Sequence, residues 1–253
     1  GLFPSVILHG GDSRLLEGSP SERRRFLDLF LSMLDPEYMQ CLKDYYRSMA
    51  GRNQLLKKNR PDEAQIRAFE EVMATSGPVL QRCRATRLKQ LQDWLCRLYG
   101  KISPVAEEPN LKYCPDAWTE DKDSCLAFFE ENRRKDAILG ITRRGPHRDD
   151  FQFELMGETA KGFVSEGQKR GLVAALRLAQ CAVFKEIHRR NPILLADDIV
   201  GELDDERRER FWSCFDPGIQ VIATGTTLPS GAFREWQIFE VEAGRIHETG
   251  RLR

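Results

Sequence analysis

Apolar residues recur at helical spacing through the first third of the chain. Phe26, Leu27, Phe30, Leu31 and Leu34 make one stripe, and Tyr38, Met39, Leu42, Tyr45, Tyr46 and Met49 make a second. Ser19-Pro20-Ser21-Glu22 is a capping box with proline at the first helical position, and Asp35-Pro36 ends that helix and caps the next. A third helical stretch starts near Asp62, is expected to break at Gly77-Pro78, and resumes to Tyr99 with Leu88, Leu91, Leu95 and Leu98 on one face. Long helices joined by short turns predict an antiparallel helical arm over 19–102. Residues 103–117, rich in proline and polar side chains, read as a connector.

The period changes beyond the connector. A helix is expected over 119–135, and Phe151, Phe153 and Leu155 alternate as a strand before a turn at 156–158. Leu172, Leu176, Ala179, Val183 and Ile187 place a helix over 167–190. A strand after Pro192, a helix over 204–215, a strand over 219–224 and a hairpin around Ala243-Gly244 complete the pattern. This alternation argues α/β for the C-terminal part. Residues 2–8 read as an internal strand with no starting methionine, so the chain reads as a fragment.

Composition narrows the class. With 41% hydrophobic residues the chain can build a core, and its zero formal net charge means that any nucleic-acid contact needs a local basic patch. No apolar run is long enough to span a membrane. Seven scattered cysteines without a CxxC read as reduced thiols in a cytoplasmic protein. His9, His147, His188 and His247 show no metal-ligand spacing.

The chemistry concentrates in a few segments. PILLADDIVGELD carries an apolar strand into Asp197 and Asp198, where carboxylates are costly unless paired or bound to a metal; a plain strand-to-loop transition is the other reading. Ser165, Gly167, Gln168 and Arg170 lie at the start of a helix, where free N–H groups favour an anion, although Ser165 also serves as an ordinary N-cap. Gly201, Glu202, Leu203 and Asp204 form the next loop, with Asp204 placed to cap a helix. Arg143, Arg144 and Arg148 flank Gly145, and Arg23, Arg24 and Arg25 follow Glu22. Both runs suit phosphate contacts, the second together with Arg47 and Arg52, and both also read as solvated charged faces.

Signature loop, helix, acidic strand, short loop with Asp, helix and strand resemble, in that order, the ABC-type ATPase head. The blocks SPSERRRFLD, DYYRSMAGRNQLLK, RRGPHRDDFQFEL, SEGQKRGLVAALRLAQ and PILLADDIVGELDDERR are similar to the RecF family of bacterial DNA replication and repair proteins, in order over 4–227. The resemblance implies an α/β head with an inserted antiparallel helical arm. Its parts are a residual strand and loop at 1–18, the arm at 19–102 and a C-terminal lobe at 103–253. It implies that Asp197 is the Walker B aspartate, binding the Mg2+ of MgATP mostly through water, and that Asp198 is the catalytic carboxylate. Ser165, Gly167, Gln168 and Arg170 become the signature that meets ATP held by the opposite subunit. Gly201 to Asp204 become the D-loop, and Thr224 takes the switch position. Ala196, Glu166, Lys169, Gly171 and Gly201 depart from the residues more usual there.

For function, the resemblance implies an ATP-driven homodimeric clamp on double-stranded DNA near gaps. It implies RecR as partner and RecA loading as outcome, in repair, replication restart and the SOS response. An alternative of another class is a non-catalytic adaptor derived from such a head. No GxxxxGK[ST] occurs in the 253 residues, so the chain reads as starting just after its Walker A loop. The expected outcome in a phosphate-release assay is that the chain as given shows no appreciable ATPase activity. Robust turnover lost in Asp198→Asn would overturn it.

Overall fold

The computed structural model describes residues 4–58, 60, 62–198, 203–216, 218–226 and 235–252. Strand β1, Ser5–His9, leads through a 3-10 turn at Gly10–Ser13 into the short α1, Arg14–Glu17. The helices α2, Pro20–Leu34, α3, Pro36–Leu56, and α4, Glu63–Ile102, follow. Next come β2, Pro109–Cys114, α5, Lys122–Leu139, a 3-10 turn at Pro146–Arg148, β3, Asp150–Leu155, β4, Glu158–Thr159, and α6, Ala160–Phe163. The chain continues with α7, Glu166–His188, β5, Ile193–Asp197, α8, Asp205–Ser213, and β6, Gln220–Thr224. A hairpin of β7, Trp236–Glu242, and β8, Arg245–Leu252, ends it.

The helix starts follow the capping chemistry. Glu22 accepts from the Ser19 N–H at 2.7 Å, and Asp35 accepts from the Glu37 N–H at 2.8 Å. The hairpin turns at Ala243 and Gly244 with φ of 48° and 77°, the paired left-handed residues that a two-residue turn requires.

Three expectations need correction. The helix does not break at Gly77-Pro78: α4 runs unbroken for 40 residues, about 60 Å. Buried Met73, Ala74, Leu80, Gln81 and Arg84 hold it on both sides of the proline, so tertiary packing outweighs the lost backbone bond. The connector is not structureless either. It contains β2, whose Leu111 is buried and which pairs antiparallel with β3 along its whole length. The stripe on α3 is also only partly inward, because Tyr38 and Tyr45 are buried while Met39 and Tyr46 remain exposed.

Three sheets form. β1, β5 and β6 are parallel, with Leu8, Ala196 and Ala223 in register; β2, β3 and β4 are antiparallel; β7 and β8 pair alone. α7 packs between α4 and the parallel sheet and is buried over most of its middle, including Leu172, Leu176, Ala179 and Val183. Val6, Leu8, Leu194 and Ala196 face that side. The alternate residues Ile7 and Ile222 are 48% and 52% exposed, so among the described residues the other face of this sheet is uncovered.

Buried charge fixes how the helices meet. Arg84 of α4 donates to Asp28 of α2 at 2.8 Å, to Asp149 at 2.9 Å and to the Pro146 carbonyl at 2.7 Å. Asp149 also accepts from Tyr113 at 2.5 Å and from the Asp116 N–H at 3.0 Å. Arg52 of α3, fully buried, donates to Glu70 at 3.0 Å, Asp136 at 2.9 Å and Thr142 at 2.8 Å.

His147 stands between these two networks. Its Nε2 meets the Thr142 carbonyl at 3.0 Å, which can only accept, so Nε2 carries the proton and Nδ1 accepts from the Tyr45 hydroxyl at 3.1 Å. Burial holds this imidazole neutral, with its pKa lowered from 6.5 to about 4. A depressed folded-state pKa contributes stability that is present above pH 6.5 and lost as pH falls toward 4. Denaturant titrations should show the wild type losing about 2 kcal/mol more than His147→Gln between pH 7.5 and 5. Equal losses would show that the imidazole titrates alike in both states.

Candidate functional site

β5 delivers its carboxylates to the edge of the core. Leu194 and Ala196 point inward and are buried, whereas Asp197 emerges on the uncovered face of the parallel sheet. Thr224 lies opposite Asp197 in the register of β6. Its hydroxyl donates to Asp197 Oδ1 at 2.6 Å. The Asp198 N–H donates to the Thr224 hydroxyl and to the Thr224 carbonyl, each at 3.2 Å. Asp198 has φ of 52°, a left-handed backbone that Asp tolerates better than most residues and that Thr224 holds in place. The structure thus brings together Asp197, Asp198 and Thr224.

Such a cluster sits at the carboxyl ends of parallel strands, where α/β sheets bind ligands. Its donors are hard oxygens, and Mg2+ accepts one or two carboxylates while keeping several waters. The described residues contain no group of three or more His, Cys, Asp or Glu suited to a metal. A magnesium ion here would therefore take most of its shell from water and phosphate.

A second group forms at the start of α7. Ser165 Oγ accepts from the Gln168 N–H at 3.3 Å, and Gln168 Oε1 accepts from the Ser165 N–H at 2.8 Å. Gln168 Nε2 then donates to Glu107 at 2.5 Å. Glu107, just beyond α4, also accepts from the Tyr99 hydroxyl at 2.7 Å and the Ser103 hydroxyl at 3.2 Å. Gly167 has a steric reason: a first side-chain carbon there would lie 3.1 Å from the Arg207 guanidinium. Arg207 in turn binds Asp204, which caps α8 by accepting from the Arg207 N–H at 2.9 Å. Lys169 is buried and pairs with Glu17 of α1 and with Glu166. Arg170 is exposed and Leu203 is buried; Gly201 and Glu202 lie outside the described residues.

No protein-family model matches the chain. The DNA replication and repair protein RecF of Rippkaea orientalis is 34% identical over 270 residues, covering 98% of this chain and 71% of that protein. RecF of Gloeothece citriformis is 31% identical over 274 residues, with 98% and 71% covered. The chain belongs to the RecF family. Two structures of the recombination mediator protein RecF in the RecFOR pathway, one with ATPrS and one with ATP, match it with TM-scores of 0.84 and 0.85 at 25% identity. They cover 99% of this chain and 69% and 68% of theirs, and they bear out the α/β head with a helical arm.

Within this RecF-family frame the arginines divide. Arg23 is buried and binds Asp150 through two bonds of 2.8 Å; Arg143 pairs with Asp136 and Arg144 with Asp116. Arg52, expected on a basic surface, is instead fully buried in its carboxylate network. Arg24, Arg25 and Arg148 line a cleft between α2, α3 and the turn before β3.

Glu107, Tyr99 and Arg207 are the residues that motif reading did not place beside the Ser165–Gln168 turn. Glu107 sits in the polar connector, 61 positions from Gln168, and nothing local marks it. Glu107→Ala removes the acceptor that orients Gln168. Amide exchange followed by NMR should then speed up roughly tenfold at Gln168 and Lys169, as expected for a cap weakened by about one hydrogen bond. Unchanged protection there would show that Glu107 does not hold the turn.

Proposed function

We propose that the chain is the signature- and acid-bearing part of a RecF-like ATPase that clamps double-stranded DNA near gaps. The observation that supports this most is the Thr224-bridged pair Asp197 and Asp198 at the ends of adjacent parallel strands, in a chain of the RecF family. In this reading Asp197 holds Mg2+, largely through water, and Asp198 accepts a proton from the attacking water. Thr224 binds the Asp197 carboxylate and the Asp198 N–H, which orders this strand end before the nucleotide arrives. ATP supplies the bond that is cleaved and the charge that draws two copies together.

Ser165, Gly167, Gln168 and Arg170 of one copy would meet the phosphates bound by the other, with α7's N–H groups directed at the charge. The 201–204 loop would cross between copies, its end anchored by Asp204 on α8. The phosphate loop such a site needs is not among these 253 residues. Arg143 and Arg144, whose side chains are 32% and 48% exposed, remain candidates for phosphate-backbone contacts. The reading includes a partnership with RecR, delivery of RecA to gapped DNA, and a cytoplasmic setting that keeps the seven free cysteines reduced.

In the full-length protein, Asp198→Asn should lower ATP turnover about a hundredfold or more, as expected for loss of a general base. ATP-dependent dimerisation, followed by sedimentation, should persist in that variant, and DNA affinity should fall as salt rises. Turnover unaffected by Asp198→Asn would remove the carboxylate's role. Absence of any ATP-dependent dimer would favour the adaptor reading.

A further inference from the structure

The cleft between α2 and α3 has a volume of about 520 Å³ and combines two features that nothing above uses. Its floor is apolar. Leu29 of α2 and Leu42, Tyr46 and Met49 of α3 line it, and Leu29 is 58% exposed. Spacings of four and then three residues put Leu42, Tyr46 and Met49 on one face of α3, and Met33, 45% exposed, extends the Leu29 row along α2. Its rim is cationic. Arg24, Arg25 and Arg148 line it, and among the described residues no carboxylate forms an ion pair with any of them. The Arg24 guanidinium donates to the Asp149 carbonyl at 2.7 Å, which positions it without neutralising it. The single carboxylate in the lining, Asp28, is already bound by Arg84 and Tyr38.

We propose that this cleft docks an acidic amphipathic helix of a partner protein. The partner's apolar side chains seat on Leu29, Leu42, Tyr46 and Met49, and its carboxylates meet Arg24, Arg25 and Arg148. Helix-in-groove recognition needs a groove with apolar anchor positions, and the facing residues of α2 and α3 supply them. Met49 suits such a floor because an unbranched thioether adapts to the shape it meets. Charge complementarity sets the sign of the partner: three uncompensated arginines repel a basic helix and attract an acidic one. A nucleic-acid duplex satisfies the rim and not the floor, since its phosphates bring nothing apolar to cover Leu29 and Met49. This assignment moves Arg24, Arg25 and Arg148 from DNA to protein recognition and does not depend on ATP hydrolysis.

The probe is a labelled helical peptide of Glu, Leu and Phe, with its apolar residues at i, i+4 and i+7, titrated with the chain in fluorescence anisotropy. Controls are a scrambled peptide of equal composition and a labelled DNA duplex. The amphipathic peptide should bind, the scrambled one should bind at least roughly tenfold more weakly, and rising salt should weaken binding. Leu29→Asp and Arg25→Glu alter exposed positions, and circular dichroism should confirm that both variants stay folded. Each should weaken peptide binding roughly tenfold or more while leaving duplex binding unchanged. Equal binding of both peptides, or no effect of Leu29→Asp, overturns the proposal. So does duplex binding that falls with Arg25→Glu and ignores Leu29→Asp, which would make the cleft a phosphate site.

Discussion

One guanidinium sets how the helical part meets the rest of the molecule. Arg84 leaves the middle of α4 and binds Asp28 on α2, Asp149 before β3 and the Pro146 carbonyl, while Tyr38 of α3 closes over it. Five N–H donors in a fixed plane accept few arrangements of their partners, so this contact selects one relative placement of three helices and a loop. The pair need not add net stability over an apolar replacement, because two buried charges cost desolvation. Its geometry excludes alternatives, since moving α2 or the loop would leave a buried carboxylate without a partner. Asp149 spreads that constraint to β2 through Tyr113 and to the 116–118 loop through the Asp116 N–H.

Local signals were legible where local chemistry decides the outcome. The caps at Asp35, Ser165 and Asp204 could be read because each side chain accepts from a backbone N–H two or three residues on, and at Ser19 the Glu22 carboxylate accepts from the Ser19 N–H. The stripe of α2 was readable because its apolar face is wholly buried. Illegible features depend on partners distant in sequence. Gly77-Pro78 has the local signature of a break, and the helix persists because α3, α5 and α7 pack along α4. β2 is short and flanked by proline, and its strand character appears only against β3. Arg23 and Arg24 are neighbours in the sequence, yet one is bound by Asp150 and the other lines an open cleft. A charge run gives no sign of which of its members will be neutralised.

The candidate site shows the same division. The strand ending at Asp197 and the helix start at Ser165 were readable because an apolar run into carboxylates and a Ser-x-x-Gln box are local patterns. The ties that hold them were not. Thr224 is 27 positions from Asp197, and only the parallel register of β5 and β6 brings its hydroxyl onto the carboxylate. That hydroxyl donates to Asp197 and accepts from the Asp198 N–H, so one side chain orders two acidic residues, one of them in a left-handed backbone.

The start of α7 is held from several directions. Glu107 reaches it from the connector beyond α4, Glu17 of α1 reaches Lys169, and Arg207 of α8 lies over Gly167. In the free protein these neighbours fix the direction of the turn's N–H groups. Those neighbours belong to the connector beyond α4, to the segment after β1 and to the helix after the acidic strand. Displacement of any of these elements would alter the Gln168 cap or the space over Gly167. The Gly167 position adds a steric element, since a first side-chain carbon there would sit a tight 3.1 Å from the arginine that Asp204 holds. The departures at Glu166, Lys169 and Gly171 then have a local use. The first two form the Glu166–Lys169–Glu17 bridge, and Gly171 packs beside the Tyr99 ring of α4.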